Sequence, residues 1–292
     1  MRKNLTIKRT ILFCTITFAL TWLLTAVIPL SGLVYGDLQS TIIVAVCMFM
    51  PTIGNILTRL ITKQGFQDFK LAPKFKGNGK SYLFSYLVFI ILIYLGILLY
   101  YLIYREQFDL TAYIMWNGTS ETESIYLVQL ANLILATVIS PVINIIPTLG
   151  EEIGWRGYLL YQLQDSCGSV KAVLYTGVIW GIWHTPMIAM GHNYGTNYPG
   201  YPWAGILMMV IACVTVGVIE GYVTLRTGSV FPAAICHSAI NGLGSVGILV
   251  CNTREYQPVI GPFYFGIIPF IPTILFAIYI SHRISTMPKE NT

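Results

Sequence analysis

The sequence predicts an all-α protein: a single polytopic bundle of about eight transmembrane helices. Three observations lead to this fold class. Of the 292 residues, 55% are hydrophobic and only 10% are charged, which is not the composition of a soluble domain. Apolar stretches of the roughly 20 residues needed to cross about 30 Å of hydrocarbon recur along the chain. These stretches are continuously apolar and do not alternate at every second residue, which excludes a transmembrane barrel.

The predicted spans lie near residues 11–31, 41–61, 81–104, 135–163, 172–190, 203–224, 229–250 and 262–282. The first span follows four basic residues and resembles a signal peptide. Its apolar run is longer than the roughly 7–15 residues of a signal-peptide core, and no small-residue cleavage site clearly follows. We therefore expect a retained anchor.

The region of the fourth predicted span is too long for a single membrane crossing. A continuous helix over 126–163 would extend about 57 Å, far more than a bilayer needs. Pro141 and Pro147 offer points at which the helix could break. We expect a broken, partly interfacial approach helix that precedes the helix carrying Glu151; a separate crossing of 126–146 would change the parity of the count.

In two later spans, the sequence indicates where a helix opens or begins. Pro186 follows two residues after His184, where its missing backbone donor can open the helix. Gly228-Ser229 is typical of a helix start, and Pro232 then falls in the first turn, where proline is tolerated.

Positive charge is distributed unevenly between the predicted loops. In the eight-span arrangement, fifteen Lys and Arg residues lie on one side of the membrane, and only Arg105 and Arg254 lie on the other. The positive-inside rule then places both termini in the cytoplasm. The outer loop, with Glu121 and Glu123 among its acids, agrees with this. The net charge of +5 thus reports topology and not a nucleic-acid partner.

We predict one integral-membrane domain over 1–292, in a bacterial cell membrane and surrounded by lipid. None of the polar stretches is long enough to fold alone. Six cysteines are scattered in or beside apolar spans without a Cys-x-x-Cys pair, so neither a zinc ribbon nor a disulfide framework is indicated. They are interpreted as small buried hydrophobic residues.

Charged and polar groups interrupt three of the apolar spans. They are Glu151, Glu152 and Arg156 in the fourth span, His184 in the fifth, and His237 and Asn241 in the seventh. Such groups are expensive at membrane depth and normally face the bundle interior. Counted from the nearest cytoplasmic charges, Glu151, His184 and Asn241 all lie roughly 20 Å deep, and His237 about 16 Å. We therefore expect these groups to meet.

The spacing within two of these groups is helical. Glu152 and Arg156 are four residues apart, so the arginine can pair with the carboxylate and limit the cost of two adjacent acids. His237 and Asn241 have the same spacing and project from one face of their helix.

These residue types suit amide hydrolysis. That reaction needs an activated water, a proton shuttle for the leaving nitrogen and stabilisation of the oxyanion. A glutamate in an apolar cavity, steered by histidine, can act as base and then acid. Alternatively, Glu151, His184 and His237 could coordinate a divalent metal such as zinc, whose bound water would be the nucleophile. The His-Glu-x-x-His pattern is absent.

The three motifs resemble those of the CAAX protease and bacteriocin-processing family (CPBP, or Abi) of intramembrane endopeptidases, which includes the Rce1-type prenyl-protein proteases. Its Glu-Glu-x-x-x-Arg motif matches residues 151–156. Its Phe-x-x-x-His motif matches at His184, with Trp180 in place of phenylalanine, and its His-x-x-x-Asn motif matches residues 237–241. The likeness is concentrated in 148–245, the predicted catalytic region.

The resemblance implies a role for each residue. Glu151 would be the catalytic acid and base, and His184 would hold or activate the water. His237 and Asn241 would stabilise the oxyanion. Glu152 and Arg156 would order the site, and Trp180 would be an aromatic wall beside it.

The resemblance also implies peptide substrates associated with the membrane, either CAAX-like or bacteriocin-like. It leaves open whether hydrolysis uses a metal or a metal-free glutamate mechanism.

Two other functions remain open from the sequence. The first is a non-proteolytic immunity or scaffold protein of the same fold, and the second is a proton-coupled transporter that uses Glu151, Glu152 and Glu220. Glu220 lies about 9 Å along its helix from Arg226, which favours a snorkelling or paired structural role for it and leaves a role as a substrate gate open. His192 and His282 are expected at the interface.

Overall fold

The computed structural model describes residues 2–112, 114 and 125–287. The acids Glu121 and Glu123 of the predicted outer loop lie outside these ranges. The protein is all-helical, as predicted. Its α-helices are α1 (Arg2–Leu30), α2 (Leu38–Cys47), α3 (Met50–Ile61), α4 (Gly79–Ile103), α5 (Ile125–Ile134), α6 (Ser140–Gly154), α7 (Leu160–Cys167), α8 (Ser169–Trp183), α9 (Thr185–Ile188), α10 (Trp203–Thr227), α11 (Phe231–Leu243) and α12 (Ile267–Ser285).

Seven helical segments of the described chain are long and apolar enough to cross a membrane, so this is a multi-pass membrane protein. They are Asn4–Leu30, Leu38–Ile61, Gly79–Ile103, Ile125–Cys167, Trp203–Thr227, Phe231–Val250 and Ile267–Ser285. The expected count of about eight differs because the span predicted at 172–190 is interrupted. Its helix α8 has only 15 residues, a rise of about 22 Å. The helix ends at Trp183, and Pro186 lies in the first turn of the short α9.

The expected break in the fourth span is wrong. Residues Ile125–Cys167 form one helical run of 43 residues, in which two π-helical turns replace the break, at Leu135–Ile139 and Trp155–Leu159. Pro141 lies just after the first π-turn, where the regular hydrogen-bond ladder already changes. Pro147 is accommodated inside α6. The π-turns widen the helix locally without ending it.

Close approach between helices depends on glycine. In α8, a Cβ on Gly177 would lie 2.5 Å from the Cα of Val214, and one on Gly181 would lie 2.6 Å from the Cα of Val210. Gly154 in α6 meets Pro51 of α3 in the same way, at 2.4 Å. Small residues four apart let transmembrane helices approach to backbone contact. Accordingly, α8 packs most extensively against α10, and α6 against α11 and then α3.

Candidate active site

A cavity of about 260 Å³ lies among α6, α8, α10 and α11. Its lining includes Glu151, His184, His237 and Asn241, the four residues for which the sequence predicts a catalytic role. The similar depths inferred from the sequence are therefore consistent with the structure. Trp180 also lines the cavity, whereas Glu152 and Arg156 lie behind its wall.

Glu151 is held by two indoles. Its side chain is buried, with 2% of its surface exposed. Trp180 Nε1 donates to Glu151 Oε2 at 2.8 Å, and Trp155 Nε1 donates to the same oxygen at 3.3 Å. The tryptophan in place of phenylalanine thus adds a hydrogen bond to the aromatic wall. With both indoles on Oε2, the other carboxylate oxygen is left for water or substrate.

The position of His184 follows from the end of α8. His184 is the C-cap residue of that helix, and its Nδ1 lies 2.9 Å from the carbonyl oxygen of Trp180. A carbonyl oxygen only accepts, so Nδ1 carries the hydrogen and Nε2 remains free to accept one. This tautomer suits a residue that orients or deprotonates water.

His237 and Asn241 lie one turn apart on α11, as predicted. His237 Nδ1 donates to Glu152 Oε1 at 2.9 Å, which leaves Nε2 for the cavity. The ring of His237 also packs against Trp180, with centroids 5.2 Å apart. The Asn241 side chain is exposed and makes no hydrogen bond to any described residue, so its amide is available to a ligand.

Behind the cavity, charged side chains from three helices form one network. Arg156 Nη1 donates to Glu152 Oε1 at 2.9 Å, which confirms the predicted pair. Arg156 Nη2 forms an ion pair with Glu220 of α10. The guanidinium also lies 4.2 Å from the centre of the Trp180 ring. All of these charges are almost fully buried.

Glu220 does not pair with the arginine that its position along the helix suggests. Arg226 instead donates to the hydroxyl of Tyr222 at 2.8 Å. Glu220 is fully buried, and its partner comes from another helix. Its charge within an apolar run was visible in the sequence, but its partner was not.

Buried residues Glu152, Glu220 and His237 could hold a metal ion, since one ligand atom from each lies within 4.8 Å of the others. Glu152 Oε2 and Glu220 Oε1 are buried without a hydrogen-bond partner, so each carboxylate keeps one oxygen for a cation. Two carboxylates and an imidazole suit zinc. Of the expected set Glu151, His184 and His237, this cluster contains only His237.

Other residues of the cavity wall were not predicted. His192, which the sequence did not assign to the site, lines the cavity. Its Nδ1 is hydrogen-bonded to the hydroxyl of Tyr35, and its ring is nearly parallel to that of His184, with centroids 6.4 Å apart. Cys213 also lines the cavity, with its sulfur 3.8 Å from His184 Nδ1. The sequence did not indicate this position for His192, because α8 ends at Trp183 and helical spacing no longer applies beyond that point.

Helix α3 supports the segment that carries Glu151. Thr52 Oγ1 donates to the carbonyl of Gly150 at 2.6 Å, and Asn55 Nδ2 donates to the carbonyl of Ile153 at 3.0 Å. Both carbonyls precede the π-turn that begins at Trp155. Side chains of α3 thus hold the turn of helix that carries Glu151 through hydrogen bonds to its backbone.

Comparison with known proteins agrees with the motif assignment. Residues 128–243 match the family described as type II CAAX prenyl endopeptidase Rce1-like. A CAAX prenyl protease 2 from Methanococcus maripaludis is 32% identical over 93 residues, which is 31% of this chain and 34% of the relative. The alignment thus spans about a third of the length of that curated relative.

Proposed function

We propose that the chain is an intramembrane endopeptidase, because residues 128–243 match the family of type II CAAX prenyl endopeptidases described as Rce1-like. Its substrates would be membrane-associated peptides or proteins, CAAX-like or bacteriocin-like. The observation that carries this proposal is the shared cavity of Glu151, His184, His237 and Asn241. The first two residues offer a base and a water-orienting group, and the last two offer hydrogen-bond donors.

In the proposed reaction, water binds between Glu151 and His184. Glu151 takes a proton from this water as it attacks the peptide carbonyl, and it then returns a proton to the leaving nitrogen. His184 orients the water through Nε2, because its Nδ1 is held by the Trp180 carbonyl.

The developing oxyanion would be bound on the opposite wall. The Asn241 amide donates one hydrogen bond to it. His237 donates another from Nε2 when both ring nitrogens are protonated, a form that the carboxylate of Glu152 stabilises. Donors already in place where charge develops are typically a large part of the rate enhancement.

A metal is compatible with the network but is not needed for these steps. Glu152, Glu220 and His237 would hold it, and when bound it would supply Lewis-acid stabilisation of negative charge. The remaining residues would act as described, on water and on the peptide.

The rest of the proposal concerns the setting of the site. The whole chain, 1–292, forms one integral-membrane domain of a bacterial cell membrane, with catalysis in 148–245. The small apolar cavity suits a single extended peptide segment, and the surrounding lipid holds the substrate near it. This proposal includes no nucleic-acid partner.

The test is cleavage of a membrane-tethered peptide library by the purified protein, with and without chelator. We expect cleavage by the wild type and none by Glu151→Gln or His184→Ala, with all proteins folded in detergent. Glu106→Gln, which replaces an exposed acid, is the matched control and should keep full activity. Robust cleavage by Glu151→Gln would contradict the assignment.

The same experiment separates the alternatives. A scaffold protein would show no cleavage by the wild type, and Glu151→Ala would leave its protective effect intact. A transporter would move substrate across proteoliposomes without cleaving it. Loss of wild-type cleavage with chelator, and its return with zinc, would indicate the metal-dependent reaction.

A further inference from the structure

We propose that Glu220 is a positioning residue of the active site, an inference that rests on the proposed function. None of the three sequence motifs includes this residue, so they assign it no role in the site. Glu220 does not line the cavity and so does not contact the substrate. It would act through Arg156, the side chain with which it forms an ion pair.

Arg156 lies where two supports of the site meet. On one side it donates to Glu152, which accepts from His237, both at 2.9 Å. On the other side its guanidinium lies over the ring of Trp180, which donates to Glu151 at 2.8 Å. A displacement of the guanidinium would therefore change the positions of both the catalytic carboxylate of Glu151 and the oxyanion donor His237.

Glu220 holds the second terminal nitrogen of this guanidinium, Nη2, which is called its second arm below. Arg156 uses Nη1 for Glu152 and Nη2 for Glu220, and the two acids come from different helices, α6 and α10. The backbone of α10 also lies against this arm, since a Cβ on Gly217 would be in ordinary van der Waals contact with Nη2, at 3.4 Å. With Glu152 alone, the only ion-pair partner of the arginine among the described residues would lie on its own helical run.

The charges also favour this arrangement. Glu152 and Glu220 place two carboxylates in a buried space with one guanidinium between them, and a planar fork is suited to bridge two acceptors. Neutralising Glu220 leaves Arg156 with one partner and the freedom to follow Glu152. We expect the fold to survive this change. The orientation of Glu152 and of Trp180 depends, however, on the charge of Glu220.

The experiment compares purified, folded wild type with Glu220→Gln, Glu220→Asp and the control Thr215→Val. Thr215 lies on the same helix, and its hydroxyl bonds only to the Ile211 carbonyl. We expect Glu220→Gln to lower kcat at least tenfold per folded molecule while KM changes less than twofold. Glu220→Asp, which keeps the charge but shortens the reach, should fall between it and the wild type. Thr215→Val should match the wild type.

A second set of variants, made in the Arg156→Lys protein, tests whether Glu220 acts through Arg156. In Arg156→Lys, which has no second arm, Glu220→Gln should lower the remaining kcat less than threefold. Equal losses in both backgrounds would overturn the inference, as would an unchanged kcat in Glu220→Gln or a change confined to KM. If only Glu220→Asp folds, a kcat equal to that of the wild type would overturn it too.

Three further outcomes are decisive. Loss of bound zinc in Glu220→Gln, with activity restored by added zinc, would make Glu220 a metal ligand and overturn the positioning role. Absence of cleavage by the wild type would overturn the proposed function and this inference with it. Wild-type cleavage with normal turnover by Glu220→Gln would overturn this inference alone.

Discussion

At the scale of single residues, Trp180 links the two halves of the site. Its indole donates to Glu151, its carbonyl accepts from His184, and its ring faces both Arg156 and His237. A phenylalanine at this position would keep the packing and the carbonyl but lose the donor. Glu151 would then retain the longer bond from Trp155, at 3.3 Å.

The two oxyanion donors give a residue-scale prediction. His237→Ala and Asn241→Ala should each lower kcat by about 10²–10³-fold, because one donor to the developing charge is lost. KM should change little, since the donors act mainly in the transition state. Steady-state kinetics on the tethered peptide would measure both constants, and Ser245→Ala, elsewhere on the cavity wall, is the control. Unaltered kcat in both variants would contradict the oxyanion role.

Arg156 gives the second prediction. Arg156→Lys keeps the charge but loses the fork, so turnover should fall more than thermal stability does. Arg156→Ala leaves Glu220 buried without a counter-ion and Glu152 with His237 as its remaining partner, which should cost about 3–5 kcal/mol of unfolding free energy and abolish turnover.

Thermal unfolding and kinetics of the two arginine variants, measured side by side, test this prediction. Full activity in Arg156→Lys together with wild-type stability in Arg156→Ala would mean that the arginine is neither a fork nor a counter-ion.

At the scale of helices, the site depends on close packing of α8 against α10. Helix α8 ends beside the cavity at His184, and α10 carries Glu220 of the buried charged network. Glycines at 177 and 181 permit their approach, because any side chain there would meet the backbone of α10. The geometry of the active site is thus sensitive to residues that contact neither substrate nor charge.

The helix-scale prediction is that Gly177→Leu separates α8 from α10. The added side chain must displace backbone, since even its Cβ would lie 2.5 Å from the Cα of Val214. Overpacking of this kind costs about 1–3 kcal/mol or more, so both thermal stability and turnover should fall. Gly79→Leu is the control, because a Cβ there meets nothing within 4 Å. Equal stability of the two variants would contradict the packing argument.

At the scale of the whole molecule, the number of membrane crossings decides on which side each loop lies. Seven segments qualify as spans by length and composition, and α8 is too short to qualify. If α8 and the segment after it complete a crossing before α10 returns, the chain crosses eight times. The asymmetry of Lys and Arg then predicts cytoplasmic termini.

Reporter fusions test this topology. Fusions after Lys76 and at the C-terminus should report the cytoplasm, and a fusion near Glu121 should report the opposite side. The control is a fusion after Lys171, in the first turn of α8, which should report the cytoplasm. A cytoplasmic signal near Glu121 would overturn the predicted arrangement.

The sequence by itself determined the features that depend on local periodicity or composition. Continuous apolar runs predicted the helical membrane bundle. The four-residue spacing placed Glu152 beside Arg156 and His237 one turn before Asn241, because a helix has 3.6 residues per turn. Pro186 indicated the end of the helix at His184, since proline removes a backbone donor.

Only the tertiary structure decided which residues of different helices meet. The pairing of Glu220 with Arg156, the bond from Trp180 to Glu151 and the position of His192 in the cavity depend on the rotation and depth of each helix. The continuity of Ile125–Cys167 likewise depends on π-turns and on donors from α3. Helix rotation and depth are set by packing against neighbours, such as the approach of α8 to α10 at Gly177, and one helix's sequence does not contain its neighbour's position.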